Sequence, residues 1–128
     1  MILSLTLFLG IFAYNLTGIP FRYIPNRQKE QVKTISEYVI AKADNKPYNF
    51  AIISKGNSDH AYRYYLEVLG NEPVTMENFI NDPERKTVTD QLIIVCEDLE
   101  CKPLGHSLFE VAGFGRAEIA DEGMVSVV

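Results

Sequence analysis

The sequence predicts an α/β fold, a small three-layer sandwich with a partly parallel sheet and an antiparallel C-terminal edge, preceded by one N-terminal transmembrane helix. Three observations carry this reading. Residues 1–21 contain no charged side chain. Two short runs, Phe50-Ala51-Ile52-Ile53 and Leu92-Ile93-Ile94-Val95, are apolar on both faces, as in central strands covered by helices on each side. Around them apolar residues recur at helical spacing, and alternating strands and helices build a sheet with helices packed on it.

The transmembrane helix is assigned to residues 1–21 and an α/β domain to 22–128. As a helix, residues 1–19 cover roughly 28 Å, near the ~30 Å hydrocarbon core of a bilayer. The densely apolar part, 1–14, also suits a signal-peptide core or a buried helix. A secretory signal, however, has a positive region before its core and a small-residue cleavage site after it, and both are missing here. Tyr14, Phe21 and Tyr23 stand where interfacial aromatics sit, with Arg22, Arg27 and Lys29 just beyond. Those basic residues alone would put the domain on the cytoplasmic side, unless earlier helices set the topology.

The remaining hundred or so residues suffice for one single-core domain. Asn26 can cap a helix reaching Ala43, with Val32, Ile35, Val39 and Ala43 on its apolar stripe. The first strand, 49–54, follows Pro47. A loop, 55–59, leads to a helix over 60–69 whose apolar set is Tyr62, Tyr65, Leu66 and Leu69, with Arg63 and Glu67 as an i,i+4 pair and Gly70 as the stop. Residues 71–90 are irregular, with a short edge strand at 73–76, and 91–96 form the second buried strand. Ser107 and Glu110 have capping-box spacing ahead of a short helix over 108–112. Residues 116–119 and 124–128 read as an antiparallel hairpin. The sequence stops within that last strand, so a longer parent protein is expected.

A net charge of −5 and the absence of a basic run longer than Arg85-Lys86 exclude a nucleic-acid surface. Cys96 and Cys101 fit a tight-loop disulfide or two free thiols; a metal site would have only His60 and His106 as further soft donors. Neither a metal nor a cofactor is expected: Lys55-Gly56-Asn57-Ser58 is not a phosphate loop, and Gly113-Phe114-Gly115 does not complete a dinucleotide fingerprint.

Ligands in open α/β sheets collect outside the carboxyl ends of the strands. The two loops there, 55–60 and 97–107, supply the ligand-binding candidates Asp59, His60, Asp98 and His106, together with Lys55, Glu97 and Ser107. Simpler roles compete. Asp59 can act as a helix cap, His60 as a surface histidine, and His106-Ser107 as a turn and a cap rather than a base and a nucleophile.

The strings Pro47-Tyr48-Asn49-Phe50-Ala51, Gly56-Asn57-Ser58-Asp59-His60-Ala61-Tyr62-Arg63-Tyr64, Asp82-Pro83-Glu84-Arg85-Lys86-Thr87-Val88-Thr89-Asp90-Gln91-Leu92, Pro103-Leu104-Gly105-His106-Ser107 and Gly113-Phe114-Gly115-Arg116-Ala117-Glu118-Ile119 carry a resemblance. Together they resemble the C-terminal tail of bacterial polytopic glycosyltransferases that use polyprenyl-phosphate sugars, the protein mannosyltransferase type included. The resemblance implies a last membrane helix and an extracytoplasmic tail domain whose partners are the lipid bilayer, the rest of the membrane enzyme, and a lipid-linked sugar or acceptor. It favours a Cys96–Cys101 disulfide. No residue matches the family's catalytic carboxylate, so no catalytic residue is assigned. The expected function is a non-catalytic, accessory or acceptor-side fragment of such an enzyme. The alternative is a complete membrane-anchored binding module for a small polar ligand or a partner protein. A free-standing hydrolase lacks a supported nucleophile.

Overall fold

A computed structural model describes residues 2–18, 24–98 and 100–125. In chain order the elements are α1 (Ile2–Leu16), α2 (Gln28–Ala43), β1 (Asn49–Ile53), α3 (His60–Val68), β2 (Leu92–Cys96) and α4 (Phe109–Phe114). The two strands pair in parallel, Asn49 opposite Leu92 through Ile53 opposite Cys96.

Both strands fall on the apolar runs, and β1 is buried along its whole length. Successive side chains of a strand point to opposite faces. Phe50 and Ile52 therefore enter one cluster with Val39 and Ala43 of α2 and with Tyr62 and Leu66 of α3. Ile93 and Val95 of β2 pack against the same cluster, half-buried. The short helix α4 also approaches β1.

Local chemistry sets the helix ends. The Asn26 carboxamide accepts from the Gln28 N–H at 3.3 Å, while Arg27 turns through a left-handed conformation at φ 52°. At the end of α3 the Asn71 N–H closes onto the Leu66 carbonyl at 2.9 Å across Gly70, whose φ is +83°. That six-to-one closure is a glycine C-cap. Before α4 the N-cap position falls at Leu108 and carries no side-chain cap, so the Ser107–Glu110 capping box does not form; the Leu108 N–H donates to His106 Nδ1 at 3.1 Å. Arg63 pairs with Asp59, one turn before it, rather than with Glu67.

Three larger expectations are corrected. No described helix is long and apolar enough to cross a membrane, which overturns both the N-terminal transmembrane helix and the single-pass membrane location. The apolar segment ends as a helix at Leu16, 15 residues long. That is about 22 Å, short of a ~30 Å core. Beyond it Thr17 and Gly18 donate back to the Tyr14 and Asn15 carbonyls, both at 3.1 Å, in tighter turns. Phe21, Arg22 and Tyr23, assigned to the interface, lie outside the described residues.

Among the described residues the multi-stranded sandwich is likewise replaced by a two-stranded sheet with four helices. Residues 73–76 run beside β1 without forming a strand, joined by the Val74 N–H to the Tyr48 carbonyl at 2.8 Å. The antiparallel C-terminal edge is absent among the described residues, and 126–128 lie outside them. Residues 116–125 are claimed by α2 instead of by the sheet. Lys42 and Asp121 form an ion pair, and a Cβ on Gly123 would collide with the Tyr38 hydroxyl.

The irregular segment between α3 and β2 is held by one side chain. Asn49 is 1% exposed. Its Nδ2 donates to the Val74 and Thr87 carbonyls, each at 2.8 Å, and its Oδ1 accepts from the Thr89 N–H at 2.8 Å and the Thr89 hydroxyl at 2.9 Å. Asn49→Leu keeps the volume and strands these partners, each unsatisfied buried group costing about 1–3 kcal/mol. Urea unfolding of the full chain is expected to show a loss of about 3 kcal/mol or more, against less than about 1 kcal/mol for Asn57→Ala on the exposed loop.

Candidate functional site at the strand ends

The carboxyl ends of β1 and β2 open into a cleft of about 350 Å³. Ile52, Ile53 and Leu108 supply its apolar wall; Ser54, Lys55, Asp98, Glu100, Lys102 and His106 supply polar groups. Two lysines and a histidine thus stand among two carboxylates. Such a lining is suited to a small polar ligand carrying a ring or an alkyl face.

The four candidate residues divide into two pairs. Asp98 and His106 line the cleft. Because His106 Nδ1 accepts the Leu108 N–H, the neutral ring carries its proton on Nε2, which leaves that nitrogen as a donor. Asp59 and His60 instead stand at the start of α3, outside the cleft lining, with Asp59 Oδ1 3.2 Å from His60 Nδ1. Asp59 Oδ2 accepts from Arg63 Nε, and Arg63 Nη2 reaches the Phe50 carbonyl at 3.3 Å. This acid therefore positions an arginine against the backbone of β1. His60 is a surface histidine, its side chain 87% exposed.

Glu97 joins the two loops. Its Oε1 accepts the Tyr62 hydroxyl at 2.8 Å, and its Oε2 accepts the Asn57 side-chain amide. Burial raises the Glu97 carboxyl, but hydrogen bonds from Asn57, Tyr62 and Ser54 outweigh it and hold the group below its ordinary value of 4.5. Burial also raises Asp59, and the Arg63 and His60 contacts bring it below 3.8. Burial, then the Glu97 carboxylate, pushes the Tyr62 phenol up, so it stays a neutral donor. The residue Glu97 was visible in its loop; its partner Tyr62 reads from sequence only as core, because a buried hydroxyl has the same apolar period as a buried ring.

Cys96 and Cys101 form a disulfide, with Cα atoms 5.9 Å apart. Cys96 ends β2, and the bridge returns the chain to it after a loop that carries Asp98 and Glu100 to the cleft. Lys102 and Glu100 were not singled out as ligand groups. Charge alone does not distinguish them from other solvated side chains; the bridge is what brings them to the strand ends. Among the described residues no group of three His, Cys, Asp or Glu side chains could hold a metal ion.

The depressed Asp59 and Glu97 carboxyls stabilise the fold above their ordinary values of 3.8 and 4.5, and that contribution is lost as pH falls through the folded values. Thermal unfolding should therefore shift down in temperature as pH drops below about 4.5, with a flatter profile in the Asp59→Asn, Glu97→Gln double variant. Closing so short a loop stabilises by about 2 kcal/mol in the chain-entropy description. The Cys96→Ser, Cys101→Ser variant is expected to lose about that much by urea unfolding, and its amides in 97–107 are expected to exchange faster with solvent. No protein-family model, curated protein or solved structure matches this chain.

Proposed function

We propose that this chain is a non-catalytic C-terminal domain of a glycosyltransferase that uses a lipid-linked sugar donor, with an accessory or acceptor-side role. One observation supports the reading: several polar side chains within the strings that resemble the tail of such enzymes hold the scaffold together. Asn49, Thr87 and Thr89 form the buried amide network. Arg85 donates to the Gly113 and Phe114 carbonyls at 2.8 and 2.9 Å, closing the end of α4. Gln91 donates to the Ala43 carbonyl at the end of α2 at 3.0 Å, and His106 accepts the Leu108 N–H ahead of α4. Side chains of this kind, committed to holding the chain, are what a tail domain shares with its relatives when the chemistry is performed elsewhere.

A second reading, a binding module for a small polar ligand, is favoured by the cleft with its mixed charges on an apolar wall. The two are separated by one experiment. The full chain is incubated with a polyprenyl-phosphate mannose labelled in the sugar and with a serine- and threonine-rich acceptor peptide, and amide resonances are followed alongside. No label is expected on the peptide, and shifts are expected at residues 52–55 and 98–108 when the donor is added. Label transfer would overturn the non-catalytic role. Shifts with free mannose but not with the donor would favour the small-ligand module, and no shift with either would remove the cleft from the function.

A further inference from the structure

The two edges of the sheet are treated differently. Along β1 two outward carbonyls are occupied, Tyr48 accepting from the Val74 N–H at 2.8 Å and Phe50 accepting from Arg63, and the whole strand is buried. On β2 the ladder uses the Gln91 carbonyl, which accepts from the Asn49 N–H at 3.0 Å, and the Glu97 N–H, which donates to the Ile53 carbonyl at 3.1 Å. In a parallel pair, alternate residues turn their backbone groups to the neighbour. Residues 91, 93, 95 and 97 thus face β1, and Leu92, Ile94 and Cys96 present their N–H and C=O groups to the other side. Among the described residues no hydrogen bond reaches those three.

Apart from its shortness and the acids at its ends, this edge carries none of the usual protections. Leu92-Ile93-Ile94-Val95-Cys96 contains no lysine, no proline and no bulge, and Leu92 to Val95 are only half-buried. Its ends are acidic, with Asp90 before the strand and Asp98 and Glu100 after it. A second copy pairing antiparallel about Ile94 would set Asp90 against Asp98 at both ends, and in-register parallel pairing would set each acid against itself. Like charges directly opposite are destabilising in a sheet.

We propose that the outer edge of β2 accepts an added strand from a partner polypeptide, an extended segment with an uncharged β-branched centre and basic ends. Backbone hydrogen bonds to Leu92, Ile94 and Cys96 supply the pairing, the apolar centre covers the half-exposed faces of β2, and the basic ends meet Asp90 and Asp98. This inference is independent of the sugar donor, and it shares only Asp98 with the strand-end cleft.

The test uses the full chain and a synthetic peptide with a Thr-Val-Ile-Val-Thr centre and two lysines at each end. In the free chain the amides of Leu92, Ile94 and Cys96 exchange quickly and those of Ile93 and Val95 slowly; the peptide protects the first three. A peptide ending in glutamates binds at least about tenfold more weakly, because like charges then face each other. N-methylation at alternate peptide amides abolishes protection. Ile94→Pro removes an outward donor that the β1 ladder does not use and is expected to abolish binding; should it unfold the chain, the N-methylated peptide carries the same test. The proposal is overturned if the lysine peptide gives no protection or if the glutamate peptide binds equally well. It is also overturned if the three amides are already protected in the free monomer, which would assign the edge to residues 124–128, or if light scattering shows that protection accompanies dimerisation.

Discussion

A buried carboxamide at the first position of β1 joins three parts of the chain that share no regular secondary structure. Asn49 has two N–H donors and a carbonyl with two lone pairs, and the fold occupies all four with Val74, Thr87 and Thr89. In a low-dielectric interior such a network is strong when complete and costly when broken. Its effect is geometric: it fixes where 71–91 runs, and so brings β2 alongside β1. A parallel pair needs a long crossover, and here the part of that crossover after α3 lacks a second helix, so side chains hold it in place.

The other polar groups of 71–91 extend the same arrangement outward. Asp82 accepts the Lys86 N–H at 2.9 Å and both the N–H and the hydroxyl of Thr87 at 2.7 Å, and Thr87 holds its carboxyl below the ordinary range. The Thr87 hydroxyl also accepts the Glu77 N–H at 3.0 Å. Tyr48 adds a bond to the Asn71 carbonyl at 2.7 Å, and burial pushes its phenol up to about 12. The irregular segment is therefore ordered by polar contacts around a small apolar cluster. Acid weakens it through Asp82 as well as through the strand-end carboxylates.

At the strand ends the disulfide and the Glu97 contacts act on opposite sides of one loop. Glu97 turns towards Tyr62 and Asn57, tying the loop to α3, while the bridge from Cys96 to Cys101 folds Asp98 and Glu100 back to the cleft. A chain with so small a sheet keeps its site in shape by such local ties rather than by a surrounding barrel or sandwich.

The sequence by itself determined where the chain becomes regular. The apolar runs locate both strands, and the 3.6-residue stripe locates α2 and α3, because burying an apolar face is a property of local spacing. The two loops that flank the cleft, with Asp98 and His106 among their residues, were legible for the same reason, since they follow the strands. Tertiary structure decided the rest. An uncharged N-terminal stretch states hydropathy but not length, and α1 stops at Leu16. Residues 116–119 and 124–128 read from the sequence as a hairpin, yet Asp121 and Gly123 between them meet Lys42 and Tyr38 on α2. Arg63 had two acids within one turn and took Asp59, whose geometry also lets the guanidinium reach Phe50. Asn49 is the clearest case. Its residue type and its place in a strand were visible, but its four partners lie 25 to 40 residues away, and only the folded chain brings them to one amide.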